Sequence, residues 1–431
     1  MKKKVLCLAL TLIMTSSIFM TGCSTGTSQV NDTKSGSEET KDAKETENVS
    51  GGDKTTVVFA YWGAESENNA IQATVTDFEA NNPDIKVETQ WIEEDYLTKV
   101  QTQIAGGTTA DVYLISAADL PGFAGNFDTQ TVDASKYLSE NVVDALKIEG
   151  ELKARPFIVK PKVMAINKDL FKEYGVDIPS LTEPMTMEEF GNDIAKLTDT
   201  SKNPQQFGSE SPWMGNFVYS FGGSYYKNNG TESNLDSAED IEAANFIIDA
   251  KAKGYNPNNT QSEGQSMMDW FLSGRIAMYT DFGPWYIPQM ADVTGFDWDI
   301  VPYPANGGNK EVDGLAICSA SENKEAAETF AAWLCESDSA QKAIGGDSSA
   351  YGVPVNPNAV DSFKNIYEGK NMQAYVDAAF NQTPTETQKR TNEINTVLDR
   401  VDDETGVGTG DGNPAEIFPS IAEDINAILK Q

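Results

Sequence analysis

An aromatic pair directly follows a turn in the stretch FLSGRIAMYTDFGPWYIPQM, Phe271–Met290. Gly283 and Pro284 interrupt a strand-like run, and Trp285 and Tyr286 come immediately after them. Most Trp and Tyr side chains pack in protein cores, so packing is one interpretation. The other is that the turn presents a flat ring to a ligand. The stretch by itself leaves both interpretations open.

The residue types that the chain lacks exclude several kinds of chemistry. Its 431 residues include no histidine, which excludes Ser-His-Asp and Cys-His catalysis and every zinc site that contains histidine. Arginine occurs at four positions only, so bidentate clamps for phosphate or carboxylate groups are scarce. The sequence therefore predicts no metal site and no cofactor, and it excludes catalysis that depends on histidine.

The four cysteines divide into two pairs. Cys7 and Cys23 lie near the N-terminus, whereas Cys318 ends a strand-like run and Cys335 lies in a helix-like run. We predict that the second pair are small core residues, although a disulfide between them is the alternative.

The charge balance excludes one class of partner. The chain carries 66 Asp and Glu residues against 32 Lys and Arg residues, for a formal net charge of −34. Nucleic acids require a basic face, so we expect no nucleic-acid partner. An acidic excess of this size is usually a solvated surface, and it does not identify the ligand.

The N-terminal residues have the layout of an export signal. Three lysines at 2–4 precede an apolar run over 5–20, which is shorter than the ~20 residues of a membrane-spanning helix. We predict a signal peptide over residues 1–22. The small residues before Cys23 resemble a lipobox, so we expect a lipidated Cys23, whose two acyl chains would anchor the protein. An ordinary cleaved signal peptide is the alternative.

Residues 23–54 are predicted to form a disordered tether. The segment is rich in Ser, Thr, Gly, Glu and Lys and contains almost no large apolar residue. Such a composition cannot bury enough apolar surface to offset the entropy lost on ordering.

Strands and helices alternate at the start of the body. Thr55–Tyr61, Ile85–Trp91 and Asp111–Ile115 have the apolar content of buried strands. Asn68–Ala80 and Tyr96–Ile104, which lie between them, have helical spacing. This alternation predicts a parallel α/β sheet, in which ligands bind beyond the carboxyl ends of the strands.

The residues at those strand ends are the first candidates for ligand contact. They are Trp62 and Gly63 after the first strand, Glu94 and Asp95 after the second, and Ser116 and Asp119 after the third. Each has an alternative role. Trp62 could cover the lobe's own core, the acids at 94 and 95 could interact with a helix dipole, and Asp119 could cap a turn.

Five stretches, in the same order along the chain, resemble the extracellular solute-binding proteins of ABC importers, family 1, the maltose-binding-protein-like group. They are GGTTADVYLIS (106–116), AINKDLFKEYGVDIP (165–179) with the helix MTMEEFGNDIAKLTD after it, FGGSYY (221–226), FLSGRIAMYTDFGPW (271–285) and DGLAICSASENKEAAETFAAWL (313–334). The first stretch departs from the family pattern at Ala110, where proline is usual. The resemblance covers Val57 to about Asn358.

The resemblance implies an α/β fold of two lobes with a ligand cleft between them. The N-terminal lobe would comprise 55–160 and 303–350, and the C-terminal lobe 161–302 and 351–431. It implies a monomer with no catalytic residues that closes around a sugar or oligosaccharide and delivers it to the membrane permease subunits of an ABC importer. Together with the lipobox, it implies an exported protein anchored to the outer face of the cytoplasmic membrane, in a Gram-positive bacterium.

The resemblance also implies further ligand contacts. In this family, aromatic rings stack on the C–H faces of sugars while polar groups bind the hydroxyls at their edges. Matched positions place Trp213 and Trp285 as stacking rings. The other matched candidates are Phe217, Gly223, Asp313, Gly314 and Tyr351.

Lys160 departs from the family pattern, because this position is often acidic in the sugar binders. If Lys160 faces the cleft, it could pair with a carboxylate or bind an acidic sugar such as a uronate. A solvated lysine is the alternative.

Three other functions remain open on the sequence alone. A surface glycoside hydrolase needs only two carboxylates beside a cleft. A lipoprotein adhesin or scaffold would lack a cleft that closes. A solute-binding protein could also carry a peptide, a polyamine or a metal, although the absence of histidine counts against metals.

Overall fold

The structure is a computed structural model that describes residues 54–228, 230–346, 349–386 and 390–431, apart from the side chain of Asn392. The predicted signal peptide, the lipidation site at Cys23 and all of the tether except Lys54 lie outside the described residues. Among the residues that are described, no helix is both long and apolar enough to span a lipid bilayer.

The described residues contain both β-strands and α-helices. The strands are β1 (Thr55–Tyr61), β2 (Ile85–Trp91), β3 (Val112–Ser116), β4 (Lys147–Ile148), β5 (Glu151–Leu152), β6 (Arg155–Pro161), β7 (Val163–Asn167), β8 (Phe207–Ser209), β9 (Tyr226–Lys227), β10 (Glu232–Ser233), β11 (Ile276–Phe282), β12 (Trp298–Val301), β13 (Asn309–Ile317), β14 (Val353–Pro354) and β15 (Thr383–Pro384). The helices are α1 (Glu65–Asn81), α2 (Tyr96–Gly106), α3 (Leu120–Phe123), α4 (Glu140–Asp144), α5 (Lys168–Tyr174), α6 (Met187–Lys196), α7 (Met214–Phe217), α8 (Ala238–Ala252), α9 (Asn259–Ser262), α10 (Met267–Leu272), α11 (Lys324–Glu336), α12 (Asp338–Gly345), α13 (Val360–Lys364), α14 (Gln373–Asn381), α15 (Thr391–Glu404) and α16 (Pro414–Leu429). Short 3₁₀ turns, such as Val218–Phe221 and Pro284–Asp292, connect some of them.

Two main sheets organise the chain. The larger has the strand order β14–β6–β13–β3–β1–β2, with β15 paired to β13, and the smaller has the order β12–β7–β11–β8. Strand β1 runs parallel to both β2 and β3, which confirms the parallel α/β arrangement predicted from the alternating pattern. Strand β13 pairs antiparallel with β3 and β6, so the larger sheet is mixed.

The chain passes between the two sheets over short distances. Lys162 alone separates β6 in the larger sheet from β7 in the smaller one, and residues 302–308 lead back from β12 to β13. Strands β14 and β15 both belong to the larger sheet. The lobe boundaries at 160/161, 302/303 and 350/351 stay predictions.

One side chain ties these connections together. The Gln382 Oε1 atom accepts a hydrogen bond from the Lys162 backbone N–H at 3.1 Å. Its Nε2 donates to the Lys162 carbonyl at 2.6 Å and to the Gly307 carbonyl at 3.0 Å. Gln382 is buried and lies just before β15, so its amide joins both connecting segments to the larger sheet.

Aromatic packing holds helices α1 and α11 against the larger sheet. The Phe330 ring contacts Phe59 of β1 and Phe78 of α1, with centroids 5.4 and 5.1 Å away. Burying each such ring contributes about 1.5–3 kcal/mol relative to an exposed ring. Cys318 and Cys335 are buried free thiols in the same core, which confirms the core prediction over a disulfide.

Candidate ligand-binding cavity

A cavity of about 830 Å³ lies where the loops of the larger sheet meet residues 213–226 and 385–402. Pockets that hold small molecules in proteins are typically about 300–1,000 Å³. On the side of the larger sheet the cavity is lined by Trp62, Asp95, Tyr96, Ser116, Asp119 and Glu311. The facing residues include Trp213, Asn216, Tyr219, Tyr225, Tyr226 and Glu386. Part of helix α15 completes the wall.

Trp62 is a half-buried ring that is fixed from two sides. The Tyr351 hydroxyl donates a 2.8 Å hydrogen bond to the Trp62 carbonyl. The Tyr96 ring packs against the indole with centroids 4.9 Å apart, and the Tyr96 hydroxyl bonds the Leu114 carbonyl at 2.7 Å. The strand-end position predicted for Trp62 therefore lies at the cavity.

Ser116 and Asp119 form a compact polar turn at the end of β3. The Ser116 hydroxyl donates to Asp119 Oδ2 at 2.6 Å, and the Asp119 backbone N–H donates back to Ser116 Oγ at 3.1 Å. Burial raises the pKa of Asp119, although the bond from Ser116 opposes the shift. The pair presents carboxylate and hydroxyl oxygens to the cavity.

Trp213 is the most exposed large apolar side chain along the cavity, with 57% of its surface accessible. It precedes helix α7, and its ring lies directly against the backbone of Gly215. A Cβ atom on Gly215 would come within 2.6 Å of Trp213 Cη2, so a glycine is needed for this approach. The ring is supported from below by the backbone while much of its surface stays open.

Asp281 of β11 fixes both Trp213 and its neighbour Asn216. Its Oδ2 accepts from the Trp213 backbone N–H at 2.8 Å, and its Oδ1 accepts from Asn216 Nδ2 at 2.6 Å. Burial raises the pKa of Asp281, while these two bonds and the nearby charge of Lys162 oppose the shift. The amide oxygen of Asn216 remains buried without a hydrogen-bond partner among the described residues.

Three tyrosines and a glutamate form the opposite end of the cavity. Glu386 accepts weak hydrogen bonds from the Tyr226 N–H at 3.3 Å and the Ser224 hydroxyl at 3.4 Å. Burial raises the pKa values of Glu386 and of the tyrosines at 219, 225 and 226. This end therefore combines aromatic surface with a partly desolvated carboxylate.

Lys160 is buried and paired, so the solvated alternative is wrong. Its Nζ lies 2.9 Å from Asp313 Oδ2 and 4.5 Å from the Tyr351 ring centroid. Burial alone would lower the pKa of Lys160, but Asp313, Glu67 and Glu311 together raise it. Burial raises the pKa of Asp313 to about 6 against the attraction of Lys160. Lys160 and Asp313 do not line the cavity.

A second buried lysine supports the cavity wall. Lys162 Nζ lies 2.7 Å from Glu311 Oε1, and Glu311 lines the cavity. Burial raises the pKa of Glu311, but Lys162 and then Lys160 outweigh it and lower the pKa below its ordinary value. The same Nζ lies 5.0 Å from the centroid of the Trp285 ring. Lys162 thus connects a cavity carboxylate to the aromatic pair behind the turn.

The family model for bacterial extracellular solute-binding proteins matches residues 63–341, which is more than half of the chain. The chain belongs to this family. A mannitol-binding protein of Pseudomonas aeruginosa is 25% identical over 332 residues, 71% of this chain and 72% of that protein. A maltotriose-binding protein of Pyrococcus abyssi is 22% identical over 293 residues, 62% of this chain and 60% of that protein.

A solved structure shares the overall architecture of this solute-binding protein. An ABC substrate-binding protein from Listeria monocytogenes, solved in complex with cycloalternan, superposes with a TM-score of 0.77 at 25% identity. The match covers 88% of this chain and 100% of that chain. The predicted two-lobed α/β fold of solute-binding proteins is thereby confirmed.

The structure brings five of the residues predicted from sequence together at the cavity of this solute-binding protein. They are Trp62, Asp95, Ser116, Asp119 and Trp213. Nine others do not line it: Gly63, Glu94, Lys160, Phe217, Gly223, Trp285, Asp313, Gly314 and Tyr351. Their roles as ligand contacts stay predictions, and their positions show what else they do.

Several of these nine residues have structural roles beside the cavity. Phe217 is fully buried among other phenylalanines, and Tyr351 is fully buried behind Trp62. A Cβ on Gly223 would come within 2.0 Å of Asp240 Oδ1, so this glycine allows close packing behind the tyrosines. Trp285 is half-buried, and its ring covers Gly283.

Apart from Lys160, which is described above, the other four lie near the cavity or in the sheet. The Gly63 carbonyl accepts a 2.9 Å hydrogen bond from the Trp91 indole N–H, which fixes the loop after β1. Glu94 is exposed at the start of α2. Gly314 is buried in β13, where a Cβ would come within 2.7 Å of Leu146 Cδ1. Asp313 is the partner of Lys160 described above.

Sequence reasoning missed most of the facing wall. Tyr225 and Tyr226 lie in the stretch FGGSYY, where the sequence interpretation selected the glycine. Asn216 lies three residues after Trp213, and Glu386 lies beyond the region of family resemblance. The adjacent tyrosines at 225 and 226 were the sequence feature that could have indicated this wall, because aromatic residues after a glycine turn are suited to a binding surface. Among the described residues, no cluster of three or more His, Cys, Asp or Glu side chains could hold a metal ion.

Proposed function

We propose that this protein captures a saccharide in the cavity and delivers it to the membrane permease of an ABC importer. The observation that carries the proposal is the exposed Trp213 ring, which is held over a Gly215 backbone at the wall of a cavity of about 830 Å³. Exposing the apolar surface of a tryptophan to water is unfavourable, and a ligand that covers the ring removes this cost in free energy.

The composition of the cavity suits a sugar. A pyranose ring presents C–H groups on its faces, which complement the electron-rich faces of indole rings such as Trp62 and Trp213. Its hydroxyls can donate to the carboxylates and amide oxygens of Asp119, Glu311 and Asn216. Relatives named for binding mannitol and maltotriose, and a neighbour solved with cycloalternan, support a polyol or saccharide as the ligand class.

We further propose that binding closes the two lobes. Lys162 and residues 302–308 connect the sheets, and Gln382 bonds to both connections. A ligand that contacts residues on both sides favours the closed state through its higher affinity for that state. The predicted lobe boundaries would place the hinge at these connections.

Delivery to a permease requires the protein to stay near the membrane. We propose that Cys23 carries the lipid anchor on the outer face of the cytoplasmic membrane of a Gram-positive cell. Replacing Cys23 with Ala should release a folded protein from the membrane fraction, because both acyl chains depend on its thiol. Quantitative pelleting of the variant with membranes would contradict the anchor.

We propose that no catalytic step follows binding, since the family comprises binding proteins. Incubation with each bound oligosaccharide should release no reducing sugar above a heat-denatured control. Steady release of reducing ends would instead favour a glycoside hydrolase that uses paired carboxylates.

A thermal-shift screen tests the proposed function. Mannitol, maltose, maltotriose and a wider set of mono- and oligosaccharides would be added at millimolar concentration. A ligand that binds only the folded state stabilises it by about 2.7 kcal/mol at one hundred times its Kd, so the Tm should rise for at least one saccharide. A folded protein whose Tm no saccharide or polyol raises would contradict the proposal.

A further inference from the structure

All charged side chains that line the cavity, within the described part of the chain, are acidic. They are Asp95, Asp119, Glu311, Glu386, Asp399 and Asp402. The nearby lysines at 160 and 162 do not line it: both are buried, Lys160 is paired with Asp313, and Lys162 is paired with the cavity residue Glu311. An anionic ligand would therefore meet negative charge without a free cation to offset it.

Two asparagine side chains that line the cavity have a buried amide oxygen without a hydrogen-bond donor from the described residues. Asn216 and Asn309 line it and are 4% and 2% exposed, and the Oδ1 atom of each finds no hydrogen-bond partner among the described residues. The orientation of Asn216 is fixed chemically, because its Nδ2 must face the Asp281 carboxylate 2.6 Å away. Its oxygen therefore faces no protein donor among the described residues. Buried acceptors of this kind are normally satisfied, and a hydroxyl or amino group of a ligand that reached this wall would supply the missing donor.

We propose that the cavity selects a saccharide whose polar groups donate hydrogen bonds, through hydroxyl or amino substituents, and rejects the carboxylate or phosphate counterpart of the same sugar. The inference rests on the proposed function and names its ligand class. A hydroxyl or an ammonium group donates to Asn216 Oδ1, Asn309 Oδ1 and the carboxylates. A uronate or phosphate brings acceptors and a like charge into a partly desolvated site, where charge repulsion exceeds that in water.

The pairing of Lys160 counts against the hypothesis that this lysine binds an acidic sugar such as a uronate. Its Nζ lies 2.9 Å from Asp313 Oδ2, and Lys160 is 6% exposed, so the pair is closed to the cavity. A uronate would have to displace Asp313 from a buried pair, and would leave that carboxylate without its partner.

Matched sugars test the inference. Isothermal titration calorimetry at pH 7 would compare glucose, glucosamine and glucuronate, the corresponding galactose series, and oligosaccharides built on the same units. For each framework that binds, we expect the neutral or amino member to bind at least tenfold more tightly than the acidic member. The gap should narrow at high salt, because screening weakens the repulsion. An acidic member that binds as tightly as its neutral counterpart would overturn the inference while leaving the proposed function intact. Absence of binding by every saccharide would contradict the proposed function itself.

Charge variants locate the source of the selectivity. Glu386→Gln keeps the shape of the side chain and removes one cavity charge. It should therefore lower the selectivity ratio, which is the Kd of the acidic sugar divided by the Kd of its neutral counterpart, at least threefold. Asp95→Asn is a second variant at an exposed site with φ of 53°, a conformation that asparagine tolerates well. Glu423→Gln, on the exposed face of α16, is the matched control and should leave the gap unchanged. If the ratio of the Kd values for the acidic and neutral sugars were the same in the two cavity variants and in the control, the inference would be overturned.

Discussion

The backbone N–H of Trp213 donates a 2.8 Å hydrogen bond to the Asp281 carboxylate, 68 residues further along the chain. The other oxygen of Asp281 accepts a hydrogen bond from Asn216, so one carboxylate at the end of β11 positions the exposed Trp213 and an amide. The segment that carries both residues is otherwise a short helical turn, α7, of four residues. Its geometry at the cavity therefore depends on Asp281.

Trp213 should contribute to binding and little to stability. We predict that Trp213→Ala weakens saccharide binding at least tenfold, about 1.4 kcal/mol, because the open ring is covered only in the complex. The Tm of the ligand-free variant should stay within a few degrees of wild type. Trp270→Ala is the control, since Trp270 is 5% exposed and truncating a core tryptophan costs roughly 3–5 kcal/mol of stability. A large loss of stability in Trp213→Ala with unchanged affinity would place the ring in the core.

Asp281→Asn should change the polarity of the cavity wall. An asparagine at 281 can accept only through its single oxygen, and its own amide N–H would face Asn216 Nδ2. The Asn216 amide should then turn and present Nδ2 to the cavity in place of Oδ1. We predict a loss of affinity of about tenfold for a neutral saccharide, about 1.4 kcal/mol, measured by calorimetry. Wild-type affinity in a folded Asp281→Asn protein would show that Asp281 does not position the site.

Glu210 should make stability depend on pH. It is buried, accepts a 2.8 Å hydrogen bond from the Thr280 N–H, and burial raises its pKa to about 7. Between pH 4.5 and 7 the folded state then holds a proton that the unfolded state has released, so the free energy of unfolding falls as pH rises through this window. Below pH 4.5 both states hold the proton, so the stability is fully retained and no longer changes with pH; above about pH 7 the loss is complete.

Glu210→Gln isolates that effect. The glutamine oxygen can still accept from Thr280, while its amide can donate to the Ser209 hydroxyl, which lies 2.9 Å from Glu210 Oε2 in the wild type. We predict that wild type loses stability relative to Glu210→Gln as pH rises from about 4.5 to about 7, measured by denaturant titration. A stability difference that stays constant from pH 4 to pH 8 would show that Glu210 has an ordinary pKa.

Gln382 should matter for the connections between the sheets. Replacing it with Ala leaves the buried polar groups of Lys162 and Gly307 without their partner, and each unsatisfied group costs about 1–3 kcal/mol. We predict that Gln382→Ala has a lower Tm than the matched control Gln373→Ala. We also predict that ligand addition changes its radius of gyration, measured by small-angle scattering, by more than it changes that of the control. Gln373 is exposed on α14. Identical scattering and Tm in both variants would refute the role of Gln382.

The sequence predicted the first part of the fold closely, for a physical reason. The predicted bounds of β1 and β2 agree with the structure, and α2 runs two residues past the predicted end. Apolar periodicity is strong in these segments and depends only on nearby residues. The site is harder to predict, because contacts between distant residues build it. Glu386 and Tyr226 are 160 residues apart, and no local pattern shows that they meet.

Trp285 shows the limit of a local motif. The turn at Gly283 and Pro284 does present the ring, but the ring lies beside Lys162, whose position depends on the connection between the sheets. Tyr286 packs against Tyr279 and Phe282, with centroids 5.6 and 5.9 Å away, and so belongs to the core side of the turn. Of the two interpretations of this pair, packing therefore describes Tyr286.

The proposed binding mode can be seen directly in a crystal structure of the protein in complex with the saccharide that gives the largest rise in Tm. We expect a sugar ring stacked on the open face of Trp213, with hydroxyls within hydrogen-bond distance of Asn216 Oδ1 and Asn309 Oδ1. Trp62 should contact the same ligand from the side of the larger sheet. A saccharide bound outside this cavity, or one that leaves both amide oxygens without a donor, would refute this binding mode.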